Sequence, residues 1–239
     1  MRLSKSKRSP WGKQVYFEDN EFEVMMDCLR GQAGDCFREG CGVDIDLVLL
    51  KSLKVEPDFI HLPEGLLGRT KFYPDGSAVV EVSLELAEAA EADIVSRRRL
   101  RTTLAHEAGH ICCHRDLFIR DVATLSLFDK PEEQVQNSTI LCREEVIGSR
   151  HYNGEWWEYQ ANRCMAALLL PKEILKVQVA AVLEVNRLSD LEAAIKNGRA
   201  VSAIRDLADV FDVSVEATIY RLKDFGYIPD EFQIGLELV

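Results

Sequence analysis

The chain is short of several things, and each shortage closes off a reading. No apolar run approaches the roughly 18 residues that a membrane-spanning helix needs, so no membrane role is expected. Seven cysteines are an odd number, and their spacings suggest no disulfide framework. Reduced thiols and a cytoplasmic location are the expectation. Cys36 and Cys41 are spaced like half a zinc knuckle, but no second Cys/His pair follows nearby to complete one. Cys112 and Cys113 read as small buried apolar residues. Positive charge is scarce: 29 Lys and Arg stand against 40 Asp and Glu, a net charge of −11. That balance disfavours a protein whose main work is gripping nucleic acid, and it suits a basic protein partner better. No internal repeat or low-complexity tract is present.

What is there suits one domain, or one domain with a small appendage: 239 residues, 47% of them hydrophobic, enough to bury a sizeable core. The basic start, Met1 to Pro10, has no apolar segment after it. It is expected to be a mobile tail rather than a secretory signal, with residues 1–20 disordered. Helical periodicity runs over Glu21–Arg30, and Val43–Lys51 starts like a helix capped by Asp44 or Asp46. Val55–Leu67 reads as strand and loop. Lys71–Val82 reads as a hairpin turned by Asp75-Gly76. Glu85–Ala92 is alanine-rich and acidic. It leads to Arg97, Arg98, Arg99 and Arg101, read as a solvated helix face. Leu117–Asn153 is polar and loop-rich. After Pro171 come helical segments at Ile174–Val185, Leu188–Lys196, Ser202–Phe211 and Val215–Phe225, the last closed by Gly226.

Histidine is also scarce, with five in the chain, yet two fall four apart in His106-Glu107-Ala108-Gly109-His110. The preceding Arg99–Ala105 has no Gly or Pro and reads as helix. On a helix, side chains four apart share a face, so two imidazoles can share one zinc ion at about 2.0–2.1 Å. Glu107 lies where it can reach a water on the metal as general base. Gly109 weakens a plain helix by about 1 kcal/mol relative to alanine, which suggests a packing or access reason: another backbone or a substrate can approach closely there.

A catalytic zinc site takes three protein ligands. The metzincin pattern would need a glycine and a third ligand where this chain has Cys113 and Asp116, so it is rejected. His114 lies four residues past His110, but three histidines on one straight helix cannot converge on one ion. It is expected to be solvated or capping. The better third ligand is Glu158, on a helix pattern running from Trp156 to the stop at Pro171. Glu158, Ala161, Asn162, Met165, Leu168 and Leu169 line one face, which aims the carboxylate at the core. A buried unpaired carboxylate is very costly, and metal coordination resolves that cost. Asn162, one turn on, can hydrogen-bond a ligating imidazole.

Leu104–His110, followed by Glu158–Asn162 running into Met165–Pro171, resembles the ImmA/IrrE family of zinc metallopeptidases. The resemblance covers roughly Cys41 to Pro171, with weaker echoes to about Tyr227. At Cys164 the chain departs from the aromatic residue that many relatives carry. The resemblance implies an α+β fold: a zincin-like metallopeptidase core over residues 21–171, with a small mixed sheet and an active-site helix. A helical C-terminal segment, residues 172–239, would follow with a helix-turn-helix-like pair. It implies Zn²⁺ on His106, His110 and Glu158, with Glu107 catalytic. It also implies a partner, a helix-turn-helix transcription repressor that the protein cleaves or relieves.

The expected chemistry is metal-assisted peptide hydrolysis. His151, Tyr152 and Tyr159 are candidates for stabilising the developing oxyanion. A strand before the metal helix can present a free sheet edge to an extended substrate. The rival is a regulatory binding protein or toxin–antitoxin component that sequesters a repressor without proteolysis. Mixed charges over Arg205–Asp224 disfavour direct DNA binding.

Overall fold

The computed structural model describes residues 1–6, 9, 11–38, 40–118, 139–143, 154–182, 200–230 and 232. It is a mixed α+β chain that divides into two compact units. One comprises Met1–Cys36 with Asp44–Leu168, the other Phe37–Val43 with Leu169–Val239. Among the described residues, no helix is long and apolar enough to cross a membrane.

The first unit opens with a correction. Residues 1–20, expected to be disordered, contain an antiparallel hairpin of β1 (Arg2–Lys5) and β2 (Lys13–Tyr16), with Leu3 opposite Val15. Val15 is fully buried. Trp11, in the connection, packs edge-on against Phe118, Trp156 and Trp157 at centroid distances of 5.0–5.8 Å. These aromatic contacts tie down a segment whose basic composition alone suggests a tail.

Helix α1 (Asp19–Ala33) begins with a capping box between Glu18 and Glu21. Arg30 on its buried face donates to the carbonyls of Ala167 and Leu168 at 2.8 and 3.0 Å. Asp44 caps the short α2 (Ile45–Val48), accepting from Leu47 N, and a π-helical turn follows over Leu49–Leu53.

A four-stranded sheet then forms from β3 (Asp58–Ile60), β4 (Leu66–Phe72), β5 (Ala78–Ser83) and β6 (Thr139–Arg143), in the order β3-β5-β4-β6. β3 runs parallel to β5, and the other pairs are antiparallel. Gly76 makes the β4–β5 turn at φ +85°, the left-handed region that favours glycine, while the Asp75 side chain accepts from Ser77 N. Two expectations change here. The 117–153 stretch, read as loop, supplies strand β6. The strand just before the metal helix, β5, is interior, so among the described residues β6 and not β5 forms the edge beside β4.

Ser83 caps α3 (Leu84–Ala92), and α4 (Ile94–Phe118) follows as a 25-residue helix. Its basic first half is only partly a solvated face: Arg97 and Arg99 are exposed, but Arg101 is buried. The second ligand-bearing helix, α5 (Trp156–Leu169), crosses α4 at very short range. A Cβ built on Gly109 would sit 2.8 Å from the Ala161 carbonyl oxygen and 2.9 Å from Cys164 Cβ.

In the second unit, α6 (Lys172–Val182), α7 (Ala200–Phe211) and α8 (Val215–Asp224) fall on three of the four expected helical segments. The fourth, Leu188–Lys196, lies outside the described residues. Between α7 and α8, Asp212 takes a left-handed conformation at φ 51°, and Ser214 caps α8 by accepting from Ala217 N. Arg221 is buried in this unit, donates to the Leu170 carbonyl at 3.0 Å and stacks over Phe225.

Gly109→Ala tests the crossing of α4 and α5. Overpacking costs about 1–3 kcal/mol, against about 1 kcal/mol gained from helix propensity. Chemical denaturation should therefore show a less stable protein. An unchanged or raised unfolding midpoint would mean the helices are not held this close.

Candidate metal centre

The centre lies wholly in the first unit. α4 is a regular helix at this point, so His106 and His110 project on one side, one turn apart, with ring centroids 4.6 Å apart. The first turn of α5 brings Glu158 to them. His106 Nε2 lies 3.0 Å from Glu158 Oε2, and His110 Nε2 lies 3.5 Å from Glu158 Oε1. One ligand atom from each residue falls within 4.8 Å of the other two. Both histidines are fully buried and Glu158 is 3% exposed. The helix-face argument for Glu158 therefore holds, although the residue sits in a first turn where solvent exposure is common.

The donor set fits a cation for a reason independent of spacing. His110 Nε2, Glu158 Oε1 and Glu107 Oε1 are buried and have no hydrogen-bond partner. Leaving such atoms unsatisfied costs about 1–3 kcal/mol each. A metal ion bridging His106, His110 and Glu158 would satisfy the first two at once. Among the described residues this is the one group of three or more such side chains close enough to hold an ion. His114 is not part of it.

His114 is nevertheless not the solvated or capping residue expected. It is fully buried, its Nδ1 is 3.1 Å from His110 Nδ1, and its Nε2 is 3.0 Å from Gln160 Oε1. Burial, followed by the nearby His110, pushes its pKa well below 6.5, so the ring is neutral. Asn162 sits where the sequence put it, with Oδ1 3.1 Å from His106 Nδ1.

Glu107 is turned toward the sheet. Its Oε2 accepts a hydrogen bond from the buried Thr70 hydroxyl on β4. Gly68, on the same strand, makes room for it: a Cβ there would lie 2.8 Å from Glu107 Oε1 and 2.9 Å from Thr103 Cγ2. Neither Thr70 nor Gly68 was foreseen, because the pairing of β4 with this face of α4 is not written in either segment alone. Burial raises the Glu107 pKa, and the two histidines only partly oppose it. Cys142 on β6 is buried nearby, and burial with the charges of Glu107 and Glu158 holds its thiol well above 9.0. Of the oxyanion candidates, Tyr159 is on α5 and exposed, while His151 and Tyr152 lie outside the described residues.

No protein-family model matches the chain, and a search of curated proteins gives no match either.

The titration of the centre has a definite sign. Burial would lower the His106 pKa, but the hydrogen bond to Glu158 and the charges of Glu158 and Glu107 outweigh it and raise the value above 6.5. Burial would raise Glu158, but His110 and His106 outweigh that and hold it well below 4.5. The metal-free centre is thus a charge pair. The carboxylate's contribution to stability is present above pH 4.5 and is lost as pH falls through its depressed value. The imidazolium's contribution is full below pH 6.5 and is lost as pH rises through the raised His106 value. A metal needs bare nitrogen, so its affinity should climb as that proton leaves, by about tenfold per pH unit for each proton displaced. The rise in Tm on adding zinc should therefore be larger at pH 8 than at pH 5.5. An equal or smaller rise at pH 8 would contradict this assignment.

Proposed function

We propose that the protein is a zinc-dependent endopeptidase with a zincin-like core, acting on a protein substrate in the cytoplasm. The observation that carries the reading is the buried His106–His110–Glu158 cluster, with Glu107 beside it and unpartnered atoms facing one another. Two imidazole nitrogens and a carboxylate are a donor set that suits zinc, and three ligands match a catalytic rather than a closed structural site. Bound there, a zinc ion supplies a Lewis acid for a carbonyl and lowers the pKa of a water toward about 7.

The chain's own residues supply the rest. Thr70 holds one oxygen of Glu107 and leaves the other free to take a proton from an attacking water. The raised pKa of Glu107 lets it keep that proton long enough to pass it to the leaving amine. β6, the edge strand beside β4 among the described residues, offers a backbone to which an extended substrate can add. All seven cysteines are free thiols, which suits a reducing compartment. The likeness of residues 104–110 and 158–171 to ImmA/IrrE metallopeptidases supports a helix-turn-helix repressor as the substrate. The net charge of −11 suits a basic partner of that kind.

One observation favours a second reading. His106, His110 and Glu158 are almost wholly buried, as they would be if the metal were structural and the protein sequestered a repressor without cutting it.

Glu107→Gln separates the two. The variant should keep its zinc and lose about 10²–10⁴-fold in cleavage of a helix-turn-helix repressor substrate, followed as a discrete fragment by mass spectrometry. Relief of repression that survives in the zinc-loaded variant would instead support sequestration. Gly68→Ala should also retain zinc while displacing Glu107. Full cleavage by that variant would argue against Glu107 as the base.

A further inference from the structure

His110 is joined to the N-terminal hairpin by an unbroken line of hydrogen bonds. Its Nδ1 meets His114 Nδ1 at 3.1 Å, His114 Nε2 meets Gln160 Oε1 at 3.0 Å, and Gln160 Nε2 donates to the Val15 carbonyl at 2.7 Å. His110, His114, Gln160 and Val15 are all buried, so no solvent competes for these positions.

The direction of the line is fixed at its far end. A backbone carbonyl can only accept. The Gln160 amide must therefore turn its nitrogen toward Val15 and its oxygen toward His114. His114 must then donate from Nε2, and as a neutral imidazole it has only a lone pair left at Nδ1. His110 must donate into that lone pair from its own Nδ1. Its Nε2 is left bare, facing Glu158 Oε1 at 3.5 Å. Asn162 Oδ1 lies 3.1 Å from His106 Nδ1, while His106 Nε2 faces Glu158 Oε2 at 3.0 Å.

We propose that His114 and Gln160, anchored on the Val15 carbonyl, are positioning residues that lock His110 in its Nδ1–H tautomer and aim its Nε2 lone pair at the metal position. The hairpin is then part of the centre's wiring: a carbonyl in a segment far from His110 in sequence decides which nitrogen of a ligand carries the proton. This rests on the reading of His110 as a metal ligand, but the tautomer can be measured without any metal.

Two measurements test it on the full-length protein. Nitrogen-15 NMR of the metal-free protein at pH 8.5 reports which ring nitrogen of each histidine is protonated. His110 should be Nδ1–H and His114 should be Nε2–H. Zinc affinity, measured by competition with a chromophoric chelator, should fall about 10–100-fold in His114→Phe, the range seen when the hydrogen-bond partner of a ligating histidine is removed. His114→Gln carries an acceptor and a donor in the required order and should recover most of that loss. Gln160→Leu should weaken binding in the same direction. An Nε2–H tautomer at His110 in the wild type would overturn the proposal whatever the variants do. Unchanged zinc affinity in a folded His114→Phe would overturn it as well. If zinc does not bind the wild-type protein at all, the proposed activity fails, and the NMR result alone still decides the wiring.

Discussion

The close approach of α4 to α5 at Gly109 is the constraint on which the centre depends. The Ala161 carbonyl and Cys164 Cβ occupy the space that any larger residue at position 109 would need. Because the two helices touch there, Glu158 and Asn162 on α5 arrive at hydrogen-bonding range of His106 on α4, and Glu158 comes within 3.5 Å of His110. A glycine in mid-helix is intrinsically unfavourable by about 1 kcal/mol. The contact it permits assembles three buried polar side chains whose isolation would cost several times more.

Burial then sets the chemistry. In the metal-free state the site holds a charge pair, because neither the imidazole nor the carboxylate is well accommodated alone. Glu107 lies outside that pair. Thr70 and the gap at Gly68 hold it against the sheet, and its raised pKa suits a group that must take up and release a proton. The same burial removes water from the hydrogen bonds that orient the ligands, so each imidazole is held by a fixed partner rather than by solvent.

Much of this was legible in the sequence because it follows from helical spacing. His106 and His110 lie one turn apart with Glu107 next to the first, and Glu158 and Asn162 lie one turn apart on a helix whose stop at Pro171 is explicit. The Asp75-Gly76 turn and the cap at Asp44 are local signals of the same kind. What was missed depends on contacts distant in the chain. His114 continues the 106–110 stripe and so belongs to the buried face, but its partner Gln160 falls off the Glu158–Asn162 face, and Gln160's own partner is a backbone carbonyl. Val15 sits in a segment whose basic composition reads as a tail, while its order comes from Trp11 packing on aromatic residues of α4 and α5. β6 was hidden in a polar stretch with no period-2 pattern, and its place beside β4 is a tertiary choice.

Anomalous diffraction at the zinc edge, from crystals of the zinc-loaded protein, tests the central claim most directly. The account requires one zinc ion bound by His106 Nε2, His110 Nε2 and a Glu158 carboxylate oxygen at about 2.0–2.2 Å, with His114 outside the coordination shell. A zinc ion held by other residues, or no anomalous peak between α4 and α5, would contradict it.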